Sequence, residues 1–377
     1  MKTLTALESL KTPSLLVDLN RVRGNAAHMS RRAKLLGVQL RPHIKTHKCI
    51  EIARIQTEGH SGAITVSTLA EARAFAAHGF GQITYAVPID PGKFNEAVEL
   101  ARQGTKLSLL TDDPQIPAPL NDVARKAGVK LDVFLKVDCG YRRCGVDPNG
   151  SEALEIPRRI TDSSQLRFAG ILTHAGHSYN ACSRSQLLSI ARQERDVMVA
   201  CARRLESEGI RVPVTTIGST PTITQVDDLT GIQEVRPGNY IFFDGFQATL
   251  GSCSFDDCAL TVLASVIHRS RDLKKIVIDG GAIALSKDRG PVDLDAGCGY
   301  GHVLDLEGND LGLRVHSVSQ EHGQIKVDDD GLLDRLSVGT RVRVLANHSC
   351  LTAAQYDCYH VLEDGEIADR WQIHRGW

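Results

Sequence analysis

Aromatic residues are scarce, at 5% of 377. No stretch approaches the roughly 18 consecutive apolar residues that a membrane-spanning helix needs, and the opening MKTLTALESLKTPSLLVDL lacks the unbroken apolar core of a secretory leader. Neither sign of charge dominates, since 44 Lys and Arg face 45 Asp and Glu for a net of −1. With no long block of one sign, nucleic acid and membrane drop out as partners and a small molecule is expected. CxxC pairs are missing as well. The ten cysteines are scattered without framework spacing, which points to reduced thiols in a cytoplasmic protein.

What is present is an ordinary globular composition, 42% hydrophobic and 24% charged. The length exceeds what one core usually fills, so a domain of barrel size and a smaller second domain are expected. From about residue 20 to 245, short Val- and Ile-rich runs alternate with amphipathic stretches of helix length, the pattern of repeated βα units. Eight runs qualify as strands: near Val38–Ile44, Ala63–Ser67, Ile83–Val87, Lys106–Leu110, Lys130–Asp138, Arg167–Thr173, Val212–Ile217 and Gln233–Arg236. The expected fold is therefore α/β, a (β/α)8 TIM barrel. Residues 246–377 change to strand-like runs punctuated by Asp-Gly and Gly-Asn pairs, a β domain. The strand at 12–19 is spare to the barrel count and is free to join that second domain.

Several segments at the ends of barrel strands carry reactive side chains. Arg41-Pro42-His43-Ile44-Lys45-Thr46-His47-Lys48 ends the first. Period-two spacing places His43, Lys45 and His47 on one face. A lysine at a barrel mouth, its pKa lowered by desolvation and nearby cations, suits a Schiff base with a carbonyl compound; a basic loop meeting phosphate or solvent is the alternative. Gly218-Ser219-Thr220-Pro221 follows the seventh strand and Arg236-Pro237-Gly238-Asn239-Tyr240 the eighth, where barrels commonly hold phosphate. Gly218 and Gly238 would let backbone N–H groups approach an anion, with the hydroxyls of Ser219, Thr220 and Tyr240 as further donors; ordinary turns have the same composition. Asp138-Cys139-Gly140-Tyr141-Arg142-Arg143 offers a cation or a surface Asp–Arg pair. His174-Ala175-Gly176-His177-Ser178-Tyr179 offers two imidazoles, as acid/base groups or as structural histidines. In Asn347-His348-Ser349-Cys350, continued strand geometry would put His348 and Cys350 on one face, able to share a metal or simply packed. Imidazole with thiolate favours Zn²⁺.

Taken together, RPHIKTHK, VSTLAEA (Val66–Ala72), DCGYRRCG, THAGHSY, IGSTPT, RPGNYIFFD, QEHG (Gln320–Gly323) and NHSC resemble the motifs of the fold-type III pyridoxal-phosphate enzymes. These are alanine racemase-like barrels, and the likeness is to the branch of D-serine and D-threo-3-hydroxyaspartate dehydratases and D-threonine aldolases. The resemblance spans nearly the whole chain. It implies Lys45 as the cofactor lysine, Arg143 beside the cofactor phenolate or the substrate carboxylate, and Tyr179 against the ring. Thr220, Gly238 and Asn239, with Ser219 and Tyr240 beside them, fall to the phosphate. It also implies His348 and Cys350 on zinc, with Mn²⁺ or another divalent ion as the alternative, and a homodimer. The implied reaction is loss of water from a 3-hydroxy-D-amino acid, D-threo-3-hydroxyaspartate or D-serine, to give a 2-oxo acid and ammonia. Lys45 would be the base at Cα, and a histidine such as His174 or His177 would serve the competing aldol cleavage. Leu172 stands where eukaryotic D-serine dehydratases tend to have Tyr, which leans toward the bacterial 3-hydroxyaspartate enzymes.

Overall fold

The computed structural model describes residues 7–377. Strand β1 (Ser14–Asp18) lies in one of two compact units, formed by the N-terminal segment through Ala27 and by Asn239–Ile373. The other unit holds His28–Gly238 and His374–Trp377.

The second of these units is the barrel. Its strands are β2 (Gln39–Leu40), β3 (Ile64–Val66), β4 (Gln82–Tyr85), β5 (Lys106–Thr111), β6 (Leu131–Lys136), β7 (Leu166–Leu172), β8 (Thr215–Ile217) and β9 (Glu234–Val235). All pair in parallel, in the order β2-β9-β8-β7-β6-β5-β4-β3. The two ends of this sheet meet at an isolated parallel bridge between His43 and Thr65, where the Thr65 N–H donates to the Pro42 carbonyl at 2.9 Å. Each run read from the sequence overlaps a strand, but β2 and β9 shrink to two residues. Both are followed by Arg-Pro, and proline has no N–H with which to continue a ladder.

Helices cover the outside for the reason their spacing suggests. The helix Pro117–Ala127 buries Pro117, Leu120 and Ala124, one per turn, and ends at Gly128, whose φ of +68° is the left-handed conformation glycine adopts without steric cost. The long helix Arg184–Ser207 buries Leu187, Ile190, Ala191, Met198, Cys201 and Leu205, together with one carboxylate in the same stripe, Glu194.

In the β unit the strands are β10 (Leu260–Ser270), β11 (Lys275–Ile278), β12 (Gly301–Leu304), β13 (Asp310–Val318), β14 (Gly323–Lys326), β15 (Arg341–Ala346), β16 (Cys358–Glu363) and β17 (Glu366–Gln372). Their order is β11-β14-β13-β12-β15-β10-β1-β16-β17, and β10 pairs with β11 as well, which closes six of them on themselves. Strand β1 runs antiparallel to β10 and parallel to β16, with Ser14–Val17 buried, so its apolar run is continuous rather than alternating. All ten cysteines are free. Among the described residues no helix is long and apolar enough to cross a membrane.

One backbone position sets the register between β6 and β7. The pairing shifts at Phe134, opposite Gly170, which takes φ +134°. A Cβ there would lie 1.9 Å from the Val214 carbonyl oxygen. Gly170→Ala is expected to lower the unfolding free energy by more than about 3 kcal/mol in urea titration; a loss under about 1 kcal/mol would show that the strands shift at little cost.

Candidate active site

Beyond Pro42 the chain does not continue as a strand. It turns into a 3-10 turn, Ile44–Thr46, so His43, Lys45 and His47 do not share a face. Ile44 and Thr46 point inward and Lys45 is exposed. His47 is buried among structural partners: its ring meets the Gln56 amide oxygen at 2.8 Å and accepts the Cys49 N–H at 3.0 Å. Burial pushes its pKa down to about 3.

His43 and His174 are the imidazoles that share the surroundings of Lys45. Burial holds both well below the usual histidine range, and the Lys45 ammonium lowers each further. Both are uncharged at neutral pH. The His174 Nδ1 lies 2.7 Å from the Gly218 carbonyl oxygen. A carbonyl only accepts, which assigns the proton to Nδ1 and leaves the lone pair on Nε2.

On the loop after β6, Asp138 spends its carboxylate on backbone, accepting the N–H groups of Gly140 at 2.9 Å and Arg142 at 3.0 Å. It makes no surface pair with an arginine. Arg143 is exposed and lies over the Tyr141 ring, 5.2 Å from its centroid. The same ring stands edge-on to His174 and stacks on His177, each at 6.2 Å. Gly176 makes room for it, since a Cβ there would be 2.2 Å from the ring. Both ring nitrogens of His177 are buried without a hydrogen-bond partner. Tyr179 is half-buried in the adjoining turn Gly176–Asn180.

Ser219 caps the helix Thr220–Gln225, accepting the Thr222 N–H, and its hydroxyl meets those of Ser178 at 3.0 Å and Thr222 at 2.9 Å. Thr220 is buried at the first position of that helix. The glycines expected to admit an anion have a further duty. A Cβ on Gly218 would lie 2.7 Å from the Arg236 nitrogen, and one on Gly238 would lie 2.7 Å from the His43 carbonyl oxygen.

In the β unit, His348 is the N-cap of the helix Ser349–Ala353, so strand alternation is not what pairs it with Cys350. The two side chains hydrogen-bond across the first turn of that helix. The His348 Nδ1 lies 2.5 Å from an Asp288 oxygen. Burial opposes a charge on His348, but its bonds to Asp288 and Cys350 outweigh that and raise its pKa well above the usual range; His348 in turn lowers that of Asp288. Asn347 steadies the segment carrying Asp288 by donating to the carbonyls of Arg289, Cys298 and Gly299 at 2.9 to 3.3 Å. The Asn239 amide donates to Asp244 at 2.8 Å and Ser349 at 3.0 Å, while its Oδ1 is buried without a partner. Tyr240 is fully buried. Among the described residues no three or more His, Cys, Asp or Glu side chains are arranged to hold a metal ion, so His348 and Cys350 form a two-donor set.

The sequence reading missed Lys136 and Arg236. Lys136 is buried where it ends β6, and burial, followed by the neighbouring Arg236, pushes its pKa down to about 8. Its signal was a charge closing the apolar run LDVFLK. Arg236 is buried, donates to Thr216 at 2.9 Å and to the Thr173 carbonyl, and has its pKa lowered to about 10 by burial. Asp288 carried no signal in the sequence; beside it, the Arg289 guanidinium donates to the Ala296 carbonyl at 3.1 Å.

Residues 17–245 match the family model of the alanine racemase N-terminal domain, and 259–362 match that of a serine dehydratase domain. The chain belongs to this family of alanine racemase-like enzymes. It is similar to a D-threo-3-hydroxyaspartate dehydratase of Delftia sp. strain HT23, with 36% identity over 98% of this chain and 99% of that one. Similarity to a D-serine dehydratase of Dictyostelium discoideum is 34%, over 98% of both chains. The solved structure of the Delftia enzyme superposes with a TM-score of 0.95 over 99% of this chain and all of that one, at 37% identity. A solved variant of a D-threo-3-hydroxyaspartate dehydratase is described as being in a metal-free form. Membership makes this chain a lyase, and the alanine racemase-like fold of the family implies pyridoxal phosphate as its cofactor.

The uncharged state of His47 has a consequence for stability. With a folded pKa below its unfolded value, the ring's contribution is complete above about pH 6.5 and is lost as pH falls, because the unfolded chain takes the proton first. Between about pH 7 and about pH 5, wild type is expected to lose about 2 kcal/mol more unfolding free energy than His47→Gln. Parallel curves in urea titrations at several pH values would contradict the assignment.

Proposed function

We propose that this chain removes water from 3-hydroxy-D-amino acids, D-threo-3-hydroxyaspartate or D-serine, giving a 2-oxo acid and ammonia. The observation that carries the reading is the Asp288–His348–Cys350 cluster, in a chain similar over nearly its full length to dehydratases. Racemisation at Cα has no need of such a cluster.

The residues of the barrel mouth fit pyridoxal phosphate. Lys45 presents an exposed amine beside two uncharged imidazoles, and the buried nitrogens of His177 have no protein partner. Lys45 would hold the cofactor aldehyde, with Arg143 at its phenolate or at the substrate carboxylate and Tyr179 at the ring. Ser219, Thr220, Gly238, Asn239 and Tyr240 would hold the phosphate. When bound, the cofactor supplies an electron sink for charge developing at Cα.

The donor set of the β unit fits a divalent cation held for chemistry rather than for folding, since two protein donors leave positions open. Zn²⁺ is the ion we assign, on the His348 imidazole and the Cys350 thiolate. Asp288 engages Nδ1, which directs Nε2 outward as the ligating nitrogen. Such an ion, when bound, supplies a Lewis acid for a β-oxygen.

The chain's own groups then divide the proton work. The Lys45 Nζ takes the Cα proton, with the uncharged His43 and His174 beside it. His174, with its lone pair on Nε2, is the second proton carrier.

Lys45→Ala is expected to abolish turnover and the visible absorption of bound cofactor while leaving the circular dichroism native; retained turnover would remove Lys45 from the mechanism. Incubation with D-threo-3-hydroxyaspartate or D-serine should release ammonia and a 2-oxo acid, lost on chelation and restored by Zn²⁺. Glycine and an aldehyde from D-threonine would instead identify an aldolase, the activity named for a relative 28% identical to this chain.

A further inference from the structure

Glu194 is the one carboxylate in the inward stripe of the helix Arg184–Ser207, and it is completely buried. One of its oxygens accepts the Ala175 N–H at 3.0 Å and the Gly218 N–H at 3.3 Å, and the other accepts the Thr222 hydroxyl at 2.8 Å. These donors belong to the segments that follow two adjacent strands, β7 and β8. Burial raises the pKa of Glu194 against the three hydrogen bonds, which favour its charged form.

The bonded groups bracket one side chain. Ala175 contributes the peptide directly after His174, and Gly218 supplies the carbonyl that receives the His174 Nδ1 proton at 2.7 Å. We propose that Glu194 is a positioning residue that fixes His174 as the Nδ1–H tautomer by anchoring the peptide that follows His174 and the peptide that enters Gly218, whose own carbonyl receives the ring proton. Glu194 does not touch the ring. It acts through backbone, as a third group that orients a base.

The two backbone donors meet one carboxylate oxygen and the Thr222 hydroxyl meets the other. Leucine of similar length would leave both N–H groups buried without an acceptor. The segments that carry His174 and Gly218 would then lose their common anchor, the Gly218 carbonyl would no longer select Nδ1–H, and the Nε2 lone pair would be lost from a share of the molecules.

Whether His174 serves the chemistry rests on the function proposed above; its tautomer does not, and the test separates the two. In holoenzyme labelled with 15N-histidine, long-range 1H–15N correlation reads each ring's tautomer, and the His174 signals are those missing from His174→Gln. Wild type is expected to show Nδ1–H alone. Glu194→Leu is expected to show both tautomers and a kcat reduced about 100-fold, with KM changed much less. Thr222→Val, which removes the hydroxyl and leaves both backbone bonds, should keep Nδ1–H alone.

A wild-type Nε2–H tautomer would overturn the proposal outright, and so would Nδ1–H persisting unmixed in folded Glu194→Leu. Should that variant fail to accumulate, wild type and Thr222→Val still decide: mixed tautomers in Thr222→Val would show that the backbone bonds do not set the ring. Failure of the functional reading alone would appear as the expected tautomers in an enzyme that releases no ammonia.

Discussion

The barrel closes through one parallel bridge, His43 against Thr65, and the position of Lys45 depends on it. Pro42 and Pro237 both follow arginine and lack an N–H, so β2 and its ladder neighbour β9 are cut short. Closure against β3 passes to the Pro42 carbonyl, which accepts from Thr65 at 2.9 Å, while on the β9 side the His43 N–H donates to the Pro237 carbonyl at 3.0 Å. Directly after this junction the chain tightens into the turn that leaves Lys45 exposed while Ile44 and Thr46 are buried. Gly238 belongs to the same constraint, since a side chain there would strike the His43 carbonyl.

Charge in the barrel interior is arranged around that junction. Arg41 pairs with Glu234 at 2.6 Å, Glu234 also accepts the Thr216 hydroxyl at 3.1 Å, and Arg236 donates to the same hydroxyl at 2.9 Å. A buried ion pair needs such added hydrogen bonds to offset desolvation. The surroundings of Lys45 are different. Lys136, Arg236 and Arg143 supply positive charge there, and the two histidines beside Lys45 are held neutral first by burial and then by the surrounding cations. An anionic ligand is what such a field favours, and a neutral base is what it maintains.

Caps do the corresponding work in the β unit. Asp244 begins the helix Gly245–Thr249 by accepting the Gln247 N–H at 2.9 Å, and its other oxygen accepts the Ser349 N–H at 2.9 Å and the Asn239 amide at 2.8 Å. Satisfying these helix-start donors fixes the turn on which Cys350 sits next to His348.

The alternation of apolar runs with helical spacing was enough to reveal eight βα repeats and a β region, because burial on both faces of a parallel sheet leaves a periodic mark on composition. The motifs around Lys45, His174 and His348 could likewise be read, since a charge or imidazole at the end of an apolar run is conspicuous. What stayed hidden was direction. The 3-10 turn at Ile44–Thr46 defeated a period-two reading of His43, Lys45 and His47, and a helix cap rather than a strand brings His348 to Cys350. Glu194 and Asp288 meet their partners from 19 to 60 residues away. A carboxylate among apolar neighbours looks the same in one dimension whether it faces water or three buried donors. Sequence determined which residues could do chemistry; the fold decided which of them are pinned, uncharged and oriented, because hydrogen bonds and desolvation depend on distance in space rather than along the chain.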